Sequence, residues 1–172
     1  MPPQATDRLI AAWPVTGVPF TANASQSVLK VGDVGSATRG SFFALDIGGT
    51  GGGADAYKTA IATCDPAAPH FVNLGDSVPV LMGNLHGPTL QGVADMISQD
   101  VDASWDDATR SIVSTHLVSP RLGVIAAIDP AEYEQSSVSN PPRVRVTNLL
   151  GFFVEGYVNG YVIGVLAPIP AP

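Results

Sequence analysis

The residues able to do chemistry fall into three groups. The first is the glycine run from Asp46 to Gly53 inside "FFALDIGGTGGGADAYKTAI". An apolar strand feeding glycines and then a helix leaves unpaired backbone N–H groups aimed at any anion placed there. Gly49, Gly51 and Ala54 also satisfy the relaxed dinucleotide pattern G-x-G-x-x-A. The second group is "DVDASWDD", in which Asp100, Asp102, Ser104 and Asp106 stand at the alternating spacing from which calcium loops take oxygen ligands. An EF-hand loop needs Gly at its sixth position and Glu at its twelfth, where this chain has Trp105 and Ser111. Oxygen-rich turns of this kind more often serve as solvated loops or helix caps.

The third group holds the histidines and the cysteine. His70, His86 and His116 lie in separate segments with no partner at helical spacing, so a zinc site would depend wholly on tertiary geometry. Cys64 falls on the apolar stripe of an expected helix and reads as a small buried hydrophobe rather than a nucleophile. No serine occupies a G-x-S-x-G elbow, and Asp129, Glu132 and Glu134 crowd a polar loop as solvated charge. No cofactor is implied by any of these groups.

The elements that must position these residues follow from composition and periodicity. Charged residues make up 13 % of the 172-residue chain, and glycine and proline number 18 and 15. Low charge with many turn formers, against 45 % apolar residues, predicts a β-rich domain with a real core. The net charge is −7 and no basic cluster exceeds Arg143-Val144-Arg145, so nucleic acid is excluded as a partner. The longest apolar runs, such as "LGVIAAI", are far short of the roughly 20 residues a membrane helix needs. No signal peptide is visible at the N-terminus, and the single cysteine leaves the redox compartment open.

Residues 1–27, broken by Pro2, Pro3, Pro14 and Pro19, predict an irregular arm whose apolar anchors, among them Trp13 and Phe20, lie across a sheet. Residues 28–172 predict one β-rich domain. "SVLKV" and "SFFALDI" read as strands; Ala56, Tyr57, Ala60, Ile61 and Cys64 mark one helical stripe; Leu90, Val93, Met96 and Ile97 mark another. "RVRVTNLLGFFVEGYV" and "YVIGVLAPI" flank Asn159-Gly160, a strong signal for a C-terminal hairpin. The doublets Leu149-Leu150 and Phe152-Phe153 around Gly151 predict a strand buried on both faces or bent by a bulge at the glycine, its second face covered by the arm or by a neighbouring subunit. The expected class is α+β and β-rich: a mostly antiparallel sheet or small barrel with two inserted helices. Such a layout does not supply the parallel βαβ frame that a dinucleotide loop requires.

Four segments, in order, carry a resemblance beyond this: "RGSFFALDIGGTGGGADAYKTAI", "LGDSVPVLMGNLHGPTLQGVADMI", "SPRLGVIAAIDPAEYEQ" and "VRVTNLLGFFVEGY". Together they resemble the C-terminal extracytoplasmic region of TadE/TadG-like Tad (Flp) pilus-assembly proteins over about residues 28–166. The most specific part is the G-N-x-x-G-P-T-x-Q-G core at Gly83, Asn84, Gly87, Pro88, Thr89, Gln91 and Gly92. In that core, Gly83 and Gly87 are expected at positive φ, Asn84 in an Asx turn, Pro88 at the start of a helix and Thr89 as an aid to its cap. The resemblance implies a non-enzymatic extracytoplasmic domain of a pilus-assembly or secretion apparatus. Its partners would be other pilus-assembly or envelope proteins, with self-association a further form of contact. Membrane attachment would come only through an anchor that this chain does not carry. The resemblance brings no catalytic residues. The alternative is a small hydrolase or metal-binding enzyme whose site is assembled only in three dimensions, from residues such as His70, His86, His116, Cys64 and Asp100.

Overall fold

The computed structural model describes residues 11–14, 27–31, 41–46, 53–63, 72–128, 141–158 and 161–167. In chain order the elements are β1 (Ala11–Pro14), β2 (Ser27–Val31), β3 (Ser41–Ala44), α1 (Gly53–Ala62), β4 (Ser77–Pro79), α2 (His86–Ser98), β5 (Ser104–Asp106), β6 (Ser111–Val113), β7 (Leu122–Ile128), β8 (Arg143–Val158) and β9 (Tyr161–Ala167). The fold is α+β and β-rich. Seven strands pair in the order β4-β8-β7-β1-β3-β2-β9, β9 pairs again with β8, and β5 and β6 form a separate two-stranded sheet. Most pairs are antiparallel; β1–β7 and β2–β3 are parallel.

The N-terminal arm contributes to the sheet itself. Ala11–Pro14 is a strand between β3 and β7, with Ala12 opposite Phe43 on one side and opposite Ala126 on the other. Pro14 is the last residue of that strand, where its missing N–H costs the ladder least. The C-terminal hairpin forms as its flanks predict: Val158 pairs with Tyr161, while the turn residues Asn159 and Gly160 lie outside the described residues.

β8 organises the molecule. Its doublets bury both faces: Phe152 and Phe153 are each wholly buried, on opposite sides of the strand. Phe152 packs with Tyr57, Ile61, Val93, Met96 and Ile125 beneath the two helices. Phe153 packs with Ala103, Leu122 and Ala167, and Trp105 and Ile112 close over that cluster. Among the described residues the cover on the second face is the β5–β6 hairpin; the sequence assigns that role to the arm or to another subunit, and the side chains of the arm lie outside the described residues.

The bulges also fall elsewhere than at Gly151, which pairs regularly with Val124 and Ala167. One register shift skips Thr147 against β7, and the other skips Glu155 against β9. The first switches the parity of the strand. Val144 and Val146 consequently join Leu149, Ala126 and Ile128 in a third cluster instead of facing the helices with Leu150. Thr147 anchors this bulge by donating its hydroxyl to the Ala127 carbonyl at 3.0 Å.

Candidate functional site

Two places gather the residues that the sequence singles out, and they differ in what they are built to do. The first is the start of α2, where the G-N-x-x-G-P-T-x-Q-G core lies. Gly83 takes φ 112, a backbone conformation that side chains disfavour, and turns the chain out of the β4 segment. Asn84 Oδ1 accepts the His86 N–H at 3.2 Å, closing the expected Asx turn. Pro88 sits in the first turn, where no intrahelical N–H is missed.

Three positions depart from expectation. Gly87 is helical, without positive φ. Thr89 does not cap: the N-cap residue is Leu85 with no side-chain cap, and the Thr89 hydroxyl instead donates back to the Leu85 carbonyl at 2.7 Å. It also hydrogen-bonds Tyr57 Oη at 3.2 Å, and this buried contact joins α2 to α1. Burial pushes the Tyr57 phenol up to about 12, with the Thr89 bond opposing, so it stays a neutral partner. Gly92 is the close-approach point of the helix pair, because a Cβ there would stand 2.8 Å from the Lys58 carbonyl oxygen and 2.9 Å from Ile61 Cβ. Gln91 and His86 face solvent. The core is thus a device for starting one helix and seating it on another.

The second place lies behind the β5–β6 hairpin. The helix α2 ends at Ser98, and the chain turns under itself so that Asp100 is buried. Its Oδ2 accepts two hydroxyls, from Ser119 at 2.6 Å and from Ser114 at 2.7 Å. Burial presses the Asp100 carboxyl upward, but the Ser119 and Ser114 hydroxyls and the charges of His116 and Arg121 outweigh it and hold the group below its ordinary value. Ser114 Oγ in turn accepts the His116 N–H, and Ser119 Oγ accepts the Arg121 N–H, so the loop from 114 to 121 is tied to one carboxylate.

Arg121 is buried as deeply as Asp100, and it spends its guanidinium on main chain. Nε donates to the Val154 carbonyl at 2.9 Å, Nη2 to Glu155 at 2.8 Å, and Nη1 to Ala103 at 2.8 Å and Asp100 at 3.2 Å. These acceptors explain the arginine. The bulge at Glu155 interrupts the ladder with β9, and the same side chain collects the carbonyls of the turn that follows α2. The guanidinium also stacks 5.0 Å from the centre of the Phe153 ring. Burial lowers its pKa, with Asp100 and Glu155 opposing, yet an arginine stays charged throughout the working pH range.

Above this network lies a cavity of about 300 Å³. Its walls come from β5, β6, the turn between them, the loop after them and the ends of β7 and β9, with Trp105, Ile112, Leu122 and Ala167 supplying apolar surface and Arg110 and His116 supplying basic groups.

The four oxygens of the calcium-like spacing take separate tasks. Asp100 holds the two serines, Asp102 and Ser104 are exposed, and Asp106 Oδ1 accepts the N–H groups of Ala108 at 2.8 Å and Thr109 at 3.3 Å to shape the hairpin turn. The Thr109 hydroxyl and those two N–H groups hold Asp106 below its ordinary pKa. Among the described residues no three His, Cys, Asp or Glu side chains gather where a metal ion could be held. His86 and His116 lie in different regions, on α2 and beside the cavity. His70, Cys64, most of the Asp46–Gly53 glycine run, and Asp129, Glu132 and Glu134 lie outside the described residues.

Sequence reasoning missed Ser114, Ser119 and Arg121. No local period marks them, since they sit in a loop that contacts a helix end and a strand bulge far along the chain. Compared with protein-family models, with curated proteins and with solved structures, the chain matches none. Among the described residues no helix is long and apolar enough to cross a membrane.

Proposed function

We propose that this chain is a non-enzymatic domain working through protein contacts, on the extracytoplasmic side of a Tad/Flp-type pilus-assembly or secretion apparatus. The observation that carries the contact reading is the group of apolar side chains beside the cavity. Leu117 is fully exposed, and Val113 and Val118 are about half exposed on the same segment. The polar groups nearby are already committed: the serine hydroxyls point at Asp100, and the Arg121 guanidinium at carbonyls. The resemblance around Gly83 to Gly92 supplies the apparatus, and the use of that core for a helix pair accords with a structural domain. Deleting the gene in a host that bears Flp-type pili is expected to abolish surface pili, scored by electron microscopy. Unchanged piliation would overturn the assignment.

One observation favours the enzymatic reading: Ser114, His116 and Ser119 line one cavity, with Asp100 against the two hydroxyls. Yet both serines give their protons to the carboxylate, and that carboxyl is held low, which makes it a poor base. Turnover of a panel of activated esters that disappears in Ser119→Ala, with the fold intact by circular dichroism, would establish a hydrolase in its place.

A further inference from the structure

The turn between β5 and β6 contains the one non-glycine residue with positive φ among the described residues, Arg110 at φ 54. Glycine or asparagine ordinarily takes that position in a hairpin. Here the positive φ of Arg110 closes the four-residue turn between Asp106 and Ser111. Arg110 makes no hydrogen bond or ion pair among the described residues, although it lines the cavity. Of the two carboxylates at this turn, Asp106 is engaged by the Ala108 and Thr109 N–H groups and Asp107 is exposed. Among the described residues the cavity wall contains no carboxylate.

The rest of the wall defines the complement of that cation. Trp105, Ile112, Leu122 and Ala167 supply the apolar part of a solvent-open cavity about 300 Å³ in volume. A dry cavity of about 150 Å³ accepts benzene, so this one has room for a large aromatic or branched side chain. The hydroxyls of Ser114 and Ser119 are donated to Asp100, and Thr109 and Ser111 share a hydrogen bond at 2.7 Å. Among the described wall residues Arg110 is the cation left to meet an anion, and the His116 ring, whose charge already acts on Asp100, is the other basic group. Outside the mouth, Val113, Leu117 and Val118 continue the apolar surface beyond what a small acid would cover. Among the described residues β6 pairs only with β5.

We propose that this cavity captures the C-terminus of a partner polypeptide whose last side chain is large and apolar. That side chain fills the space against Trp105, Ile112 and Leu122, the terminal carboxylate meets Arg110, and the preceding residues lie over Leu117 and Val118. The inference rests on the protein-contact reading above and names the partner's chemistry.

The test uses the intact chain and fluorescein-labelled five-residue peptides ending in Phe, Trp or Leu, each as free acid and as amide, read by fluorescence anisotropy. At least one acid is expected to bind about tenfold or more tighter than its amide, the difference that a charge-assisted hydrogen bond supplies. Arg110→Gly is expected to erase that preference while leaving the melting temperature unchanged or raised, because glycine relieves the positive φ. A merely structural arginine would show the reverse, a lowered melting temperature with acid and amide still distinguished. Equal binding of acid and amide, or no binding of any peptide to the folded chain at millimolar concentration, overturns the proposal. Tight binding of 3-phenylpropionate with none of the peptides would also overturn it, assigning the cavity to a small acid. Loss of piliation on gene deletion, combined with peptide failure, would remove this inference alone and leave the contact reading standing.

Discussion

The two faces of β8 at Phe152 and Phe153 are covered in opposite ways. Under Phe152 the cover is two helices and an almost wholly apolar cluster, in which volume and shape carry the stability. Under Phe153 the cover is a short hairpin that brings little apolar mass, and a buried charge network fastens it. An apolar face tolerates imprecise direction but not lost volume. A polar face tolerates neither a missing donor nor an unpaired charge. The two neighbouring phenylalanines therefore report on different physics, and substitutions on each side separate them.

The largest effect is expected from Arg121→Met. It takes the guanidinium from four carbonyls, of which Asp100's keeps the Ala103 N–H, and each buried one left unsatisfied costs about 1–3 kcal/mol, against a total stability of about 5–15 kcal/mol for an ordinary domain. Circular dichroism should show an unfolded or loosened chain at 25 °C, and a native melt would mean that the hairpin face does not depend on the guanidinium. Next comes Phe152→Ala on the helix face, expected to cost about 3–5 kcal/mol in urea melts because the ring is wholly buried. A loss below about 1 kcal/mol would show that the helices collapse into the space, and the contrast between faces would then be lost.

Asp100→Asn is expected to cost about 1.5–3 kcal/mol at pH 7, the range for hydrogen bonds to a charged group. It sharpens the comparison through pH. The folded-state pKa of Asp100 is lowered, so its stabilisation is complete above the ordinary value of 3.8 and is lost as pH falls through the lower folded value. Acid titration of the wild type should weaken the hairpin face first, seen as a change in Trp105 fluorescence below pH 4. In Asp100→Asn that early change should be absent. Gly92→Ala is expected to cost about 1–3 kcal/mol by forcing the helices apart, with the acid profile untouched. A shifted acid profile in that variant would show that the two faces are coupled through β8.

The sequence by itself determined the β-rich α+β class, both helices and the C-terminal hairpin, and it narrowed β8 to burial on both faces or a bulge at Gly151. Each of these is written in a local period or in a turn dipeptide, which short-range physics reads directly. Val93 and Met96 stand a helical turn apart and are buried together, and Phe152-Phe153 breaks alternation where both faces are dry. Tertiary structure alone decided the insertion of Ala11–Pro14 between β3 and β7, since pairing partners some 30 and 115 residues away leave no trace in a four-residue run. It alone placed the bulges at Thr147 and Glu155, which follow from the register of neighbouring strands. It alone joined Asp100 to Ser114 and Ser119, and Arg121 to four carbonyls. A hydrogen bond between a loop and a distant backbone depends on where two chains meet in space, and no spacing along one chain encodes that meeting.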